Sequence, residues 1–118
     1  MKSYPDINQC KKLKEILSLE SADMGLYYSC NTLAANNQMW VGTKSENADI
    51  PCWSLAALID VLPLVETHKQ TDGHKIYYYV DLYMKRKGKE IYLSTERHES
   101  LVDACYEMIL KLHELNLL

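Results

Sequence analysis

Phenylalanine is missing from this 118-residue sequence, and glycine and proline are scarce, with four and three copies. Nine tyrosines and two tryptophans therefore supply every aromatic ring. Each of these rings carries a polar group that needs water or a hydrogen-bond partner when it is covered. The low glycine and proline content and the 47% of hydrophobic residues exclude a disordered or collagen-like chain and indicate a globular protein.

Long apolar runs and an excess of basic charge are also missing. No stretch approaches the ~18 apolar residues that cross a membrane, and no apolar segment follows Met1–Asp6 as in a secretory signal. The formal net charge is −3, which gives no global attraction to nucleic acid or to an anionic membrane. We therefore expect a cytoplasmic protein that forms a single domain over residues 1–118.

The sequence has no C-x-x-C pair and none of the common catalytic motifs. Its cysteines stand far apart, at Cys10, Cys30, Cys52 and Cys105. Scattered cysteines in a chain of this kind are typical of reduced, buried thiols. G-x-S-x-G, P-loop, G-x-G-x-x-G and H-E-x-x-H motifs do not occur. We predict four reduced thiols, no cofactor and no bound metal.

Hydrophobic periodicity predicts three helices and four strands in the order α-β-β-α-β-β-α. The first helix starts after a cap at either Ser3 or Asp6, the second covers about Leu55–Leu62 and is mostly buried, and Ser100 caps the third. The strands fall at residues 26–30, 39–41, 76–84 and 90–94. Two hairpins then form an antiparallel sheet with the helices on one face, an α+β two-layer sandwich.

The connections are predicted from turn residues. An asparagine-rich turn joins the first two strands, and Lys85–Gly88 joins the last two, with Leu82 opposite Ile91. Residues 43–49 and 66–74 are predicted to be polar loops.

A row of tyrosines is the strongest candidate for a binding surface. Alternation along the third strand places Val80 on the core face, and the opposite face carries the tyrosines of both neighbouring strands. These are Tyr77, Tyr79, Tyr83 and Tyr92. Tyrosine is enriched at protein interfaces, although strands also favour it on a half-solvated surface. We predict a contact with a protein partner, either a different protein or a second copy in a homodimer.

The turn beside these tyrosines is strongly basic, with Lys85, Arg86, Lys87 and Lys89. Aromatic rings beside a basic groove are a feature of single-stranded nucleic-acid binders, which makes such binding the alternative function. The acidic net charge argues against it, and a charged hairpin tip also protects a strand edge from association.

A second alternative is an enzyme with an unrecognised site. Its candidates are His98, Asp103 with Glu107 one helical turn later, and Cys52, which precedes or opens a helix. Helix capping and burial are the competing explanations for these residues. Four residues of the 66–74 loop could supply metal ligands, but their spacing matches no zinc motif. They are Glu66, His68, Asp72 and His74.

Three stretches of the sequence are similar to stretches in a group of known proteins; they are residues 19–24, 50–63 and 102–113. The most specific is Ile-Pro-Cys-Trp-Ser-Leu-Ala-Ala-Leu from Ile50 onwards. The chain resembles short uncharacterised proteins of gut Bacteroidetes and of their prophages and other mobile elements. This resemblance implies a bacterial or phage-related origin and a cytoplasmic location, and it brings no known activity. The sequence therefore favours a small non-catalytic protein-interaction module.

Overall fold

A computed structural model describes residues 2–28, 39–44 and 47–118. The chain divides into two compact units, Tyr4–Ala57 and Leu58–Leu118, and the residues before Tyr4 belong to the second. The helices are α1 (Ile7–Ile16), α2 (Leu55–Val61) and α3 (Leu101–Glu114). The strands are β1 (Met24–Tyr28), β2 (Met39–Thr43), β3 (Ile50–Cys52), β4 (Val65–Thr71), β5 (Ile76–Arg86) and β6 (Lys89–Ser94).

The α+β class is confirmed, but the predicted order of elements and the single sheet of two hairpins are wrong. The described residues form two antiparallel sheets of three strands each, in the orders β2-β1-β3 and β4-β5-β6. The two missed strands, β3 and β4, lie at sheet edges. An edge strand pairs through its backbone and needs little apolar surface, so the proline of β3 and the polar run of β4 are tolerated there.

The first unit joins α1 to the sheet β2-β1-β3. Asp6 caps α1, because its carboxylate accepts from the N–H of Gln9 and the Gln9 side chain accepts from the N–H of Asp6. This capping box settles the start that the sequence left open. α1 packs against β3, and Cys10, Leu26, Ile50 and Cys52 form a buried cluster in this unit. Cys30 and the asparagine-rich turn lie outside the described residues.

The second unit is built on β5, which pairs with β4 on one side and β6 on the other. Val80 and Leu82 are buried, so the predicted facing of β5 is confirmed. The register with β6 differs from the prediction, since Leu82 lies opposite Leu93. The cause is a tighter turn, because only Lys87 and Gly88 connect the strands, with φ of 52° and 78°. Two positive φ values suit the right-handed twist of a two-residue hairpin.

α3 covers β5 and completes the core of the second unit. Six of its residues are buried: Val102, Ala104, Cys105, Met108, Ile109 and Leu112. The Ser100 cap is confirmed, since its hydroxyl accepts from the N–H of Asp103 at 3.0 Å. α2 is less buried than predicted, because only Leu58 along its length is fully covered and Ile59 is exposed. Within the described part of the chain, no helix has both the length and the apolar character to cross a membrane.

Candidate functional site

The face of the sheet β4-β5-β6 that points away from Val80 and Leu82 brings most of the candidate residues together. We call it the outer face. Residues of β5 on this face lie opposite partners from both neighbouring strands. Its members are Glu66, His68 and Gln70 on β4, Tyr77, Tyr79, Asp81, Tyr83 and Lys85 on β5, and Glu90, Tyr92 and Ser94 on β6.

Tyr83 and Tyr92 form an exposed aromatic pair on β5 and β6, towards the end of this face that leads to the hairpin turn. Their ring centroids are 4.7 Å apart with a tilt of 41°, and 49% of Tyr83 and 71% of Tyr92 remain exposed. The Tyr83 hydroxyl donates to Glu90 at 3.2 Å. Partial desolvation and this hydrogen bond raise the pKa of the Tyr83 phenol. The pair is preorganised for contact, because its rings already hold each other in place.

Tyr77 and Tyr79 are separated from that pair by their own partners. The ring of His68 stacks on Tyr79 at 4.5 Å, and the side chain of Gln70 donates to the Tyr79 hydroxyl at 3.1 Å. The Tyr77 hydroxyl lies 3.4 Å from a carboxylate oxygen of Asp72. Both rings are half-buried. The sequence could not separate the four tyrosines in this way, because the covering residues belong to the missed strand β4 and to the turn that follows it.

A groove of about 530 Å³ opens beside the exposed pair. Leu64 stands at its rim with 93% of its surface exposed, which is far more than a leucine usually leaves in water. The lining residues are Leu64, Val65, Glu66, Asp81, Leu82, Tyr83, Tyr92, Leu93 and Ser94. They include two carboxylates and no described lysine or arginine. The groove therefore combines apolar and aromatic walls with negative charge.

Asp81 is the polar centre of the groove. Its carboxylate accepts a short hydrogen bond from the Ser94 hydroxyl, and its other oxygen lies 3.0 Å from Nε2 of His68. The same nitrogen lies 3.6 Å from Glu66. The polar part of the groove is therefore built on two carboxylates, Glu66 and Asp81.

The basic tip, consisting of Lys85, Arg86, Lys87 and Lys89, lies at the other end of the aromatic pair. Along β5, Asp81 precedes Tyr83 by two residues and Lys85 follows it by two. Residues two apart share one face of a strand. Along β5, the outer face therefore changes from negative charge at Asp81, through the Tyr83 ring, to positive charge at Lys85, and Glu90 of β6 lies opposite Lys85.

The four residues that the sequence offered as conceivable metal ligands are not all brought together. Glu66 and His68 lie on β4, whereas Asp72 accepts from the N–H groups of His74 and Lys75 in the following turn. Those hydrogen bonds hold the pKa of Asp72 below its ordinary value. Among the described residues, no three histidines, cysteines, aspartates or glutamates cluster as metal ligands would.

The candidates for an enzyme each have structural partners. Asp103 caps α3 with Ser100 and pairs with Lys2 at 2.8 Å. Glu107 instead lies 2.8 Å from Nε2 of His98 and 3.0 Å from Lys111, and it accepts from the N–H of Glu96. The Glu107 contacts hold the segment after β6 against α3. Because Asp103 and Glu107 each bind different partners, their spacing of four residues does not create a carboxylate pair.

The Glu107 contacts predict a pH-dependent stability. Partial burial opposes ionisation, but hydrogen bonds from His98, Lys111 and the Glu96 N–H outweigh it and hold the pKa of Glu107 below its ordinary 4.5. A lowered pKa means that ionised Glu107 stabilises the fold above pH 4.5 and that this contribution is lost as the pH falls through the folded value. We expect Glu107→Gln to cost about 1–3 kcal/mol at about pH 5.5 and much less at about pH 3.

Thermal denaturation at both pH values measures this difference. Glu114→Gln is the matched control, because Glu114 is an exposed carboxylate on the same helix. An equal loss of stability for Glu107→Gln at both pH values would contradict the assignment.

Cys52 lies at the end of β3 and precedes α2, which begins at Leu55. Its sulfur is 3.4 Å from the sulfur of Cys10 on α1, and both residues are fully buried. The three described cysteines, Cys10, Cys52 and Cys105, are free thiols, as predicted. Their wide separation in sequence concealed the pair, since the helix and the strand that carry Cys10 and Cys52 meet only in the folded unit.

Neither a protein-family model nor a curated protein matches this chain, and no solved structure matches it. The resemblance to proteins of gut Bacteroidetes and their mobile elements therefore stays a prediction.

Proposed function

We propose that this chain is a small non-catalytic protein-interaction module, and that the outer face binds the same face of a second copy. The observation that carries the proposal is the polarity of the outer face. Asp81 and Lys85 are equally spaced about Tyr83, with opposite charges. A surface that is negative on one side of its centre and positive on the other is complementary to itself after a twofold rotation.

The arrangement of the two copies follows from this symmetry. The twofold axis lies between the two outer faces, beside the aromatic pair, and runs parallel to the sheets and perpendicular to the strands. Rotation about this axis stacks the two outer faces with their strands antiparallel. Each Lys85 then lies over the partner's groove, near its two carboxylates, and the four rings of Tyr83 and Tyr92 meet at the centre. Rings at the centre and charges at the rim are the usual anatomy of a protein interface.

The exposed apolar surface supports the same proposal. Leu64, Tyr83 and Tyr92 border one groove, so their exposure is contiguous rather than scattered. A contiguous apolar patch on a small protein marks a contact surface more often than isolated exposed residues do. The carboxylates of the groove would repel the phosphates of nucleic acid, which favours a protein occupant.

We expect the double variant Tyr83→Ala/Tyr92→Ala to stay folded, because both rings are exposed, and to raise the dissociation constant of the dimer by about tenfold or more. Sedimentation equilibrium over a range of protein concentrations measures that constant. Tyr77→Ala is the matched control, since it removes a ring from the same face far from the groove. A wild-type protein that stays monomeric at all concentrations would overturn the proposal.

Charge reversal tests the geometry of the contact. Lys85→Glu and Glu66→Lys should each weaken self-association, and their combination should restore it, because the two exposed positions then exchange charges across the interface. Failure of the double variant to recover would reject the antiparallel stacking. Salt-sensitive binding of single-stranded DNA that is lost with Lys85→Glu, without any self-association, would establish the nucleic-acid alternative instead.

A further inference from the structure

The first unit contains a pair of thiols that takes no part in the proposed interaction. The sulfurs of Cys10 and Cys52 are 3.4 Å apart, and the Cys10 thiol donates to the sulfur of Cys52. The Cys10 sulfur also lies 3.6 Å from the carbonyl oxygen of Pro5. Two fully buried thiols at this distance need to approach by only about 1.4 Å to reach the bond length of a disulfide.

The two thiols have different reactivities. The hydrogen bond from Cys10 outweighs the effect of burial and holds the pKa of Cys52 below its ordinary value, whereas that hydrogen bond and burial together raise the pKa of Cys10. Cys105 provides a contrast, because burial raises its pKa to about 11. Cys52 is therefore the better nucleophile of the pair, since the thiolate is the reactive form.

We propose that Cys10 and Cys52 form a reversible disulfide, a redox modification site that links α1 to β3. The oxidant is a low-molecular-weight disulfide such as oxidised glutathione. The Cys52 thiolate attacks one sulfur of the oxidant, which breaks the oxidant's S–S bond and releases one thiolate. The Cys10 thiolate, formed by loss of its proton to solvent, then attacks the Cys52 sulfur and releases the second. Two protein thiols are oxidised and one small disulfide is reduced to two thiols.

Burial makes the reaction depend on local opening. The buried residues of α1 are only Cys10 and Leu13, so little apolar surface holds this helix in place. The oxidant reaches the sulfurs when α1 separates from β3, and the disulfide then fastens the helix to the strand. Oxidation is therefore expected to be slow in native buffer and faster in dilute urea, which favours the open state.

Mass spectrometry of the full-length protein tests the proposal. After incubation with oxidised glutathione in dilute urea, we expect a protein lighter by two hydrogen atoms, which alkylation then modifies at two cysteines instead of four, and a cross-linked peptide that contains Cys10 and Cys52. The melting temperature should rise by on the order of 10 °C, because the bridge closes a long loop, and dithiothreitol should reverse the rise.

Three variants serve as controls. Cys30→Ser and Cys105→Ser should still form the bridge, whereas Cys52→Ser should not. A cross-link through Cys30 or Cys105, or separate alkylation of Cys10 and Cys52 after prolonged incubation in dilute urea, would overturn the proposal. If a variant fails to fold, the cross-linked peptide found or not found in the wild-type protein decides whether Cys10 and Cys52 form the disulfide.

Discussion

We expect Trp53→Ala to lower the free energy of unfolding by about 3–5 kcal/mol. Trp53 is fully buried, and its indole N–H donates to the hydroxyl of Ser21 at 2.9 Å. Its removal leaves a large cavity and takes a donor away from Ser21. A domain of this size is stable by only about 5–15 kcal/mol, so the variant should lose a large fraction of its stability.

Trp40→Ala is the matched control for this prediction. Trp40 is the other tryptophan of the first unit, and 54% of it is exposed although it stacks on Tyr27 at 4.5 Å. Its replacement should cost about 1 kcal/mol or less. Urea denaturation followed by far-ultraviolet circular dichroism measures both variants without relying on tryptophan fluorescence. Equal losses would show that Trp53 does not hold the first unit together.

We expect Leu112→Ala to cost about 2–5 kcal/mol, because Leu112 is fully buried in the last turn of α3. The control is Leu115→Ala, the same substitution one turn later. The apolar repeat of the sequence includes Leu115 in the buried stripe, but α3 ends at Glu114 and 52% of Leu115 is exposed. Its replacement should cost less than about 1 kcal/mol. Melting temperatures that fall equally would contradict the observed end of the core.

Lys111 is less suitable as a control than its position on the polar side of α3 suggests. Its ammonium group donates to the carbonyl oxygen of Ser94 at 2.7 Å and pairs with Glu107 at 3.0 Å. The first contact ties α3 to the end of β6, and the second links two side chains one turn apart on the helix. The polar side of α3 therefore has a structural role of its own.

The sequence by itself determined the elements whose signals are local. These signals depend on residues only a few positions apart. They are the apolar repeat and the Ser100 cap of α3, the Pro51–Ser54 signal before α2, and the alternation that buries Val80 and Leu82. The α+β class and the facing of β5 followed from them. That facing also placed Tyr83 and Tyr92 together, because neighbouring strands joined by a tight turn share their faces.

Only the tertiary structure decided the features that join distant segments. β4 became a strand because β5 offers unpaired backbone groups at its edge, and this pairing covers Tyr79 with His68. The groove is lined by Glu66 of β4 and by Leu64, which immediately precedes that strand. The thiol pair forms only because α1 packs on β3. Contacts of this kind depend on which surfaces meet in the fold, and no spacing along the chain encodes them.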